Sequence, residues 1–276
     1  MTAAAGAATL GEAISDRDFR RIREWLYERA GIHLSDAKKA LVCGRLASRI
    51  RHYQLSRYGD YFELIDDGRH PEEAQVAVDL LTTNETHFFR EPKHFDFLRD
   101  HVVPVHDRKR ALRVWSAACS SGEEPYSIAM TLASSMGSGA WEVLASDLST
   151  RVLERARTGH YPMGRARTIA HDCLVAHCLK GTGRHEGTFM VAPHVATHVQ
   201  FTQINLNEPL PAIGEFDVIF LRNVMIYFDV ATKQQVTQRV LGCLRPGGHL
   251  VIGHSESLTN VNNTMKPVAP SVYRKP

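Results

Sequence analysis

From residue 111 onward, short apolar runs alternate with amphipathic stretches, and this alternation leaves few folds open. LRVWSAA reads as a strand. EPYSIAMTLASSM reads as a helix, with Pro125 in its first turn. WEVLASD is a second strand, and STRVLERARTG is a helix opened by Ser149 and closed by Gly159. FDVIFLRN is a strand of the fully buried type, ATKQQVTQRVLGCL a helix, and GGHLVIGHSE a strand after a Pro-Gly-Gly turn. Parallel strands need helical crossovers, so this spacing predicts an α/β class with a mainly parallel, doubly wound sheet.

Two regions break the alternation. Residues 160–200 are too long for a connection, and GTGRHEGTFMVAPHVATHVQF places turn residues between short β-type runs; they predict an inserted small antiparallel β-subdomain with a helix. Residues 16–80 carry only helical signals. Phe19, Ile22, Leu26 and Ala30 recur at three and four until Gly31, and a second helix follows Ser35. The expected organisation is a frayed tail over 1–15, an all-helical domain over 16–80, a connector over 81–92 (LTTNETHFFREP), and an α/β domain over 93–276.

Composition narrows the classes. With 43% apolar and 23% charged residues among 276, the chain suits a folded globular protein, and no run approaches the ~20 apolar residues of a membrane span. Residues 1–19 lack a basic region followed by an apolar one, so no secretory signal is expected there. The five cysteines form no CxxC pair, which points to free thiols in a reducing cytoplasm. No HExxH occurs, and His194 and His198 lie in a stretch that reads as strand, so no metal is expected. Net charge is +3, yet residues 17–57 hold eleven Lys/Arg against four Asp/Glu, and residues 58–79 one Arg against seven acids. Lys38, Arg45 and Arg49 share one face of the second helix, so this basic face is expected to meet an acidic partner.

A doubly wound sheet binds its ligand beyond the carboxyl ends of its strands. The first strand runs into AACSSGEEPYS, whose small residues admit a ligand to the backbone. No GxGxxG and no P-loop lysine are present. Glu123 and Glu124 stand where a pyrophosphate would sit and would repel it; they suit an ammonium or a sulfonium, although acids are also favoured at a helix start. The second strand ends in Asp147, placed to accept from ribose hydroxyls. An acid after each of the first two strands is the layout for S-adenosylmethionine in Rossmann-like class I methyltransferases. The third long strand delivers Arg222, Asn223 and Tyr227, with no Pro-Pro of the kind found in enzymes that alkylate amide nitrogens, and arginine favours a carboxylate acceptor. Cys119 in the first loop is expected to be a small wall residue without a chemical task.

Together, TTNETHFFRE, SAACSSGEEPYSIAMTL, ASDLSTRVLERARTGHY, RNVMIYFD and LRPGGHLVIGHSES resemble the CheR family, the chemotaxis receptor glutamate methyltransferases, over residues 16–275. The resemblance implies methyl transfer from S-adenosylmethionine to glutamates on the cytoplasmic helices of chemoreceptors, giving methyl esters and S-adenosylhomocysteine. It implies cofactor contacts at Asn84, Thr86, Arg90, Glu124, Asp147, Asn205, Leu206, Arg222 and Asn223. It places Tyr227 near the methyl, with Arg90 and Arg222 able to steer the acceptor carboxylate. It also implies that the basic helical domain meets the receptor's methylation helices, and that in some members the β-subdomain docks a receptor's C-terminal peptide. Two alternatives stand beside this reading: another carboxylate acceptor on the same fold, or a non-catalytic S-adenosylmethionine-responsive regulator.

Overall fold

The computed structural model describes residues 14–137 and 139–276 and divides into two compact units, one ending at Thr83 and one spanning Asn84–Pro276. The tail expected over 1–15 lies outside the described residues up to position 13. Its last two residues are structural: Ile14 is buried, and the Ser15 hydroxyl caps the first helix by accepting from the Asp18 N–H.

Among its described residues the N-terminal unit holds four α-helices: α1 (Asp16–Ala30), α2 (Lys39–His52), α3 (Tyr58–Asp66) and α4 (Pro71–Leu81). Phe19, Ile22, Leu26 and Ala30 are buried, as their spacing requires, and Gly31 ends α1 in the left-handed region at φ 69°. The expected basic face of α2 is only partly a face. Arg45 donates to the carbonyls of Leu81 and Thr82, each at 2.8 Å, and to Thr83 Oγ1. Arg49 forks onto both carboxylate oxygens of Glu73, which is 4% exposed and also accepts from Tyr53 and Tyr61. Both arginines are struts between α2 and α4, because a buried carboxylate and the open carbonyls at the end of a helix each demand a donor. Only Lys38 of the three is exposed.

The larger unit is built on β1 (Leu112–Ser116), β2 (Trp141–Asp147), β6 (Val199–Gln203), β7 (Phe216–Leu221), β8 (Leu244–Ile252), β9 (Lys266–Ala269) and β10 (Val272–Arg274). Their order is β6-β2-β1-β7-β8-β10-β9. The first five run parallel, and β10 is antiparallel to β8 and β9. Crossovers α6 (Glu123–Met136), α7 (Thr150–Thr158) and α10 (Val230–Gly242) cover the faces, and every residue of β7 is buried, matching its unbroken apolar run. Helix α5 (Lys93–Phe97) leads into the unit and continues as a π turn and a 3₁₀ turn.

The insertion forms a separate antiparallel sheet, β3 (His160–Pro162), β5 (Thr188–Val191) and β4 (Cys178–Lys180), with α8 (His171–His177) between β3 and β4. His194 lies in the short helix α9 (Pro193–Ala196), where a strand is expected from sequence. Residues 199–200 belong to the main sheet through β6, so the insertion stops short of 200. Among the described residues, no helix is long and apolar enough to cross a membrane.

Candidate active site

The strand order reverses at β1, between β2 and β7, which opens a crevice at the carboxyl ends of these strands. The chain leaves β1 through Ala117–Gly122 and enters α6. Ser120 is in the left-handed region at φ 49° and Gly122 at φ 96°. A Cβ on Gly122 would lie 2.8 Å from both the Ala156 Cβ and the Tyr161 hydroxyl, so only glycine lets this turn pack so closely. Asp147, at the end of β2, holds the turn: its Oδ2 accepts from the Ser120 N–H at 2.8 Å, and its Oδ1 accepts from the Ser149 N–H at 3.0 Å. The Ser120 hydroxyl donates in turn to the Asn84 carbonyl at 3.0 Å.

The two acids that open α6 have separate partners. Glu124 Oε1 accepts from the Ser116 hydroxyl at 2.7 Å, and its Oε2 accepts from Arg222 at 2.8 Å. Glu123 accepts from the Ser121 hydroxyl at 2.7 Å and pairs with Arg165 at 3.4 Å. Burial pushes both carboxyls above their ordinary range, against the pull of these partners.

Arg222, just past β7, is the hub. Beyond Glu124, its Nη2 donates to the Arg90 carbonyl and, at 3.0 Å, to Glu91 Oε2, and its side chain is 1% exposed. Burial opposes the Glu91 charge, yet Arg222 beside it holds that carboxyl below its usual range. Phe89 and Glu91 both take positive φ, at 52° and 58°, so the connector turns sharply at this point. Phe88 is fully buried against Tyr161 and Phe189, which anchors the turn in the core. Arg90 itself folds back to donate to the Glu85 carbonyl at 2.9 Å, and the Thr86 carbonyl accepts from Arg165 at 2.7 Å.

These contacts form three clusters: Asn84 with Asp147 through Ser120, Thr86 with Glu123 through Arg165, and Arg90 and Glu91 with Glu124 through Arg222, which Asn223 joins with its Nδ2 3.4 Å from Glu91 Oε1. Asn205 and Leu206 follow the end of β6, the neighbour of β2, with Ile204 bonded to the Asp147 carbonyl at 3.2 Å. The Asn205 side chain closes its own turn with Asn207 and Glu208. Tyr227 is half-buried at the end of a 3₁₀ turn, Met225–Tyr227, which starts two residues beyond Asn223. Cys119 is buried, and burial pushes its thiol well above its usual range, which suits a wall residue.

Sequence reasoning missed Glu91, Ser116, Tyr161 and Arg165. Tyr161 donates to the Ser121 carbonyl at 2.7 Å, so it joins Arg165 in tying the insertion to the loop between β1 and α6. Neither residue carries a sequence signal, because nothing local reveals which loop a strand or 3₁₀ turn in an insertion will meet. Glu91, His94 and His254 bring potential metal-ligand atoms within 4.8 Å of one another. The Glu91 oxygen nearest His94 already receives Arg222, and a guanidinium at that oxygen works against a cation there.

Comparison with known proteins fixes the family. The family described as "CheR methyltransferase, SAM binding domain" matches residues 84–273, and "CheR methyltransferase, all-alpha domain" matches residues 17–82. The chain belongs to the CheR methyltransferase family. Its CheR relatives include the "Chemotaxis protein methyltransferase" of Escherichia coli K12, 44% identical over 264 residues, 95% of this chain and 91% of the relative. The "Chemotaxis protein methyltransferase 2" of Pseudomonas aeruginosa is 43% identical over 93% of this chain and 92% of its own length. That of Borreliella burgdorferi is 33% identical over 95% of each. As a CheR methyltransferase, the chain is S-adenosylmethionine-dependent.

Proposed function

We propose that the protein transfers the methyl group of S-adenosylmethionine to glutamate side chains of chemoreceptors during chemotactic adaptation. The observation that carries this reading is the acid-rich crevice at the switch point. Glu91, Glu123, Glu124 and Asp147 outnumber the guanidinium groups of Arg90, Arg165 and Arg222 by one, an excess that fits a cationic cofactor and opposes a pyrophosphate. The residues fit the cofactor in kind as well: a carboxylate at the end of β2 for ribose hydroxyls, a close-approach turn at Ser120–Gly122, and Glu124 for the cationic end.

The bound cofactor supplies an electrophilic methyl on a sulfonium. The chain's own residues then have modest tasks. A glutamate side chain has an ordinary pKa of about 4.3, so the acceptor is ionised at neutral pH and requires no general base. The protein must hold the two groups in line and keep water out. Asn84, Thr86, Asn205, Leu206 and Asn223 complete the cofactor's bed, and the Tyr227 hydroxyl orients the acceptor oxygen. Arg222, with both Nη groups committed to protein acceptors, works by fixing Glu124 and the Arg90–Glu91 turn; steering of the acceptor falls to Arg90 and Tyr227. On the helical unit Lys38 is one of several exposed cations, with Arg17, Arg20, Arg29 and Arg51 among the others, that can meet acidic receptor helices. Leu179 and Met190, directly paired across β4 and β5 and both exposed, offer an apolar seat for a receptor's terminal peptide.

The test is incubation with methyl-labelled cofactor and receptor-bearing membranes, followed by mild alkali. Label released as methanol marks a carboxyl ester; label retained on protein marks N-methylation and ends this reading.

A further inference from the structure

Glu256 lies four residues past β8 and folds back over the strand ends. Its carboxylate accepts three main-chain N–H groups: Oε2 from Gly253 at 2.7 Å and from Asn223 at 2.8 Å, and Oε1 from Met225 at 2.8 Å. Asn223 takes φ 56°, in the left-handed region that asparagine enters more readily than most residues other than glycine. Asn223 and Met225 lie in a loop outside the sheet ladder, where their N–H groups need an acceptor from elsewhere. A single charged side chain from the neighbouring strand supplies it, and hydrogen bonds to an ionised acceptor are the stronger kind. The joint is close: a Cβ on Gly253 would fall 2.6 Å from Asn223 Nδ2 and 2.9 Å from Glu256 Oε2, so it would push these two side-chain ends aside.

The loop so held carries two side chains of the site. Asn223 directs its Nδ2 toward Glu91 Oε1 at 3.4 Å, and Met225 begins the 3₁₀ turn that ends at Tyr227. Met225 is itself buried, so this turn is pinned by its thioether below and by Glu256 at its backbone. We propose that Glu256 is a positioning residue of the transfer site: it sets the loop between β7 and α10 so that Asn223 meets the cofactor and Tyr227 meets the acceptor. This rests on the glutamate-transfer reading above.

The experiment compares wild type, Glu256→Gln, Tyr227→Phe and the double variant. The glutamine keeps the shape but turns an N–H donor toward N–H donors. Calorimetry with S-adenosylhomocysteine should show about a tenfold loss of affinity in Glu256→Gln, the size expected for hydrogen bonds to a charged group. At saturating cofactor its single-turnover rate on receptor should fall about tenfold, while the same change in the Tyr227→Phe background should cost roughly twofold or less, because both changes remove one interaction. Affinity and rate both within about twofold of wild type, or rate losses that multiply in full, would overturn the proposal. If Glu256→Gln does not fold, Gly253→Ala perturbs the same joint from the other side and is read by the same measurements. If wild type fails to esterify receptor, the transfer reading fails, and the calorimetric arm still decides whether Glu256 governs Asn223.

Discussion

Arg222 Nη1 lies 2.8 Å from Glu124 Oε2, so the residue after β7 and the second residue of α6 are joined across the crevice as a buried ion pair. The pair explains why two acids can open α6 beside each other. One is compensated by Arg222 and the other by Arg165, so neither depends on the helix start alone. Arg222→Lys keeps the charge but loses the fork that serves Glu124, Glu91 and the Arg90 carbonyl together. Thermal unfolding should show a destabilisation of about 1–3 kcal/mol, with weaker S-adenosylhomocysteine binding. An unchanged Tm with a raised KM for receptor would instead return Arg222 to the acceptor.

Asp147 holds the Ser120 turn and, on the reading above, is expected to receive the ribose as well; two substitutions grade the loss. Asp147→Ala should weaken S-adenosylhomocysteine binding roughly ten- to hundredfold, because the ribose loses a charged acceptor and the Ser120 turn loses its anchor. Asp147→Asn keeps one acceptor oxygen and should lose less. Calorimetry on the folded variants decides, and unchanged affinity in the alanine variant removes Asp147 from the site.

Arg49 is expected to act on stability before recognition. Removing it leaves Glu73 buried and without its cation, and breaking a buried pair costs about 3–5 kcal/mol, reduced here because the Arg49 side chain is 25% exposed. Arg49→Ala should therefore lower Tm by several degrees even without receptor present. Lys38→Glu, at an exposed position, should leave Tm alone and slow receptor methylation in a salt-dependent way. Equal Tm values for Arg49→Ala and wild type would make Arg49 a surface group again.

The arginines of α2 mark the limit of what the sequence discloses. Spacing correctly places Arg45 and Arg49 along one helix, while Lys38 falls in a 3₁₀ turn, Asp36–Lys38, just before it; whether a face meets solvent or another helix depends on α4, whose partner has no local signature. The same limit applies at the site. Strand ends are legible to within a residue or two: the sequence reading runs the first strand on into Ala117–Ala118 and the third to Asn223, where the strands end at Ser116 and Leu221, and it ends the second at Asp147 as observed, so Glu124, Asp147, Arg222 and Asn223 can be placed at or near them. Arg165 and Glu91 are not legible: one sits in an insertion, the other in a turn defined by positive φ, and both matter only through long-range contacts.

His94 predicts a pH dependence of stability. It is 1% exposed, neither ring nitrogen has a hydrogen-bond partner, and burial, aided by the charge of Arg222, pushes its pKa from 6.5 down to about 4. Between those values the unfolded chain binds a proton that the folded chain refuses. This contribution is therefore complete above about pH 6.5 and is lost as pH falls toward 4, with a slope of at most about 1.4 kcal/mol per pH unit. Denaturant unfolding of His94→Gln should give a shallower slope across that window than wild type. Parallel slopes would mean that His94 titrates alike in both states.

Substitution at Tyr227 is expected to separate the acceptor side of the proposed site from the cofactor side. Its ring is half-buried, it ends the turn that begins at Met225, and among the described residues its hydroxyl has no protein partner, so it is available to a bound acceptor. One neutral hydrogen bond is worth about 1 kcal/mol, so Tyr227→Phe should slow single turnover by about tenfold or less with cofactor affinity unchanged. Arg90→Ala should lower both, since Arg90 also closes the connector loop onto the Glu85 carbonyl. The split between the two variants is the informative quantity. If Tyr227→Phe loses cofactor affinity but keeps its rate at saturation, Tyr227 is a wall of the cofactor pocket, and orientation of the acceptor carboxylate rests on Arg90 alone.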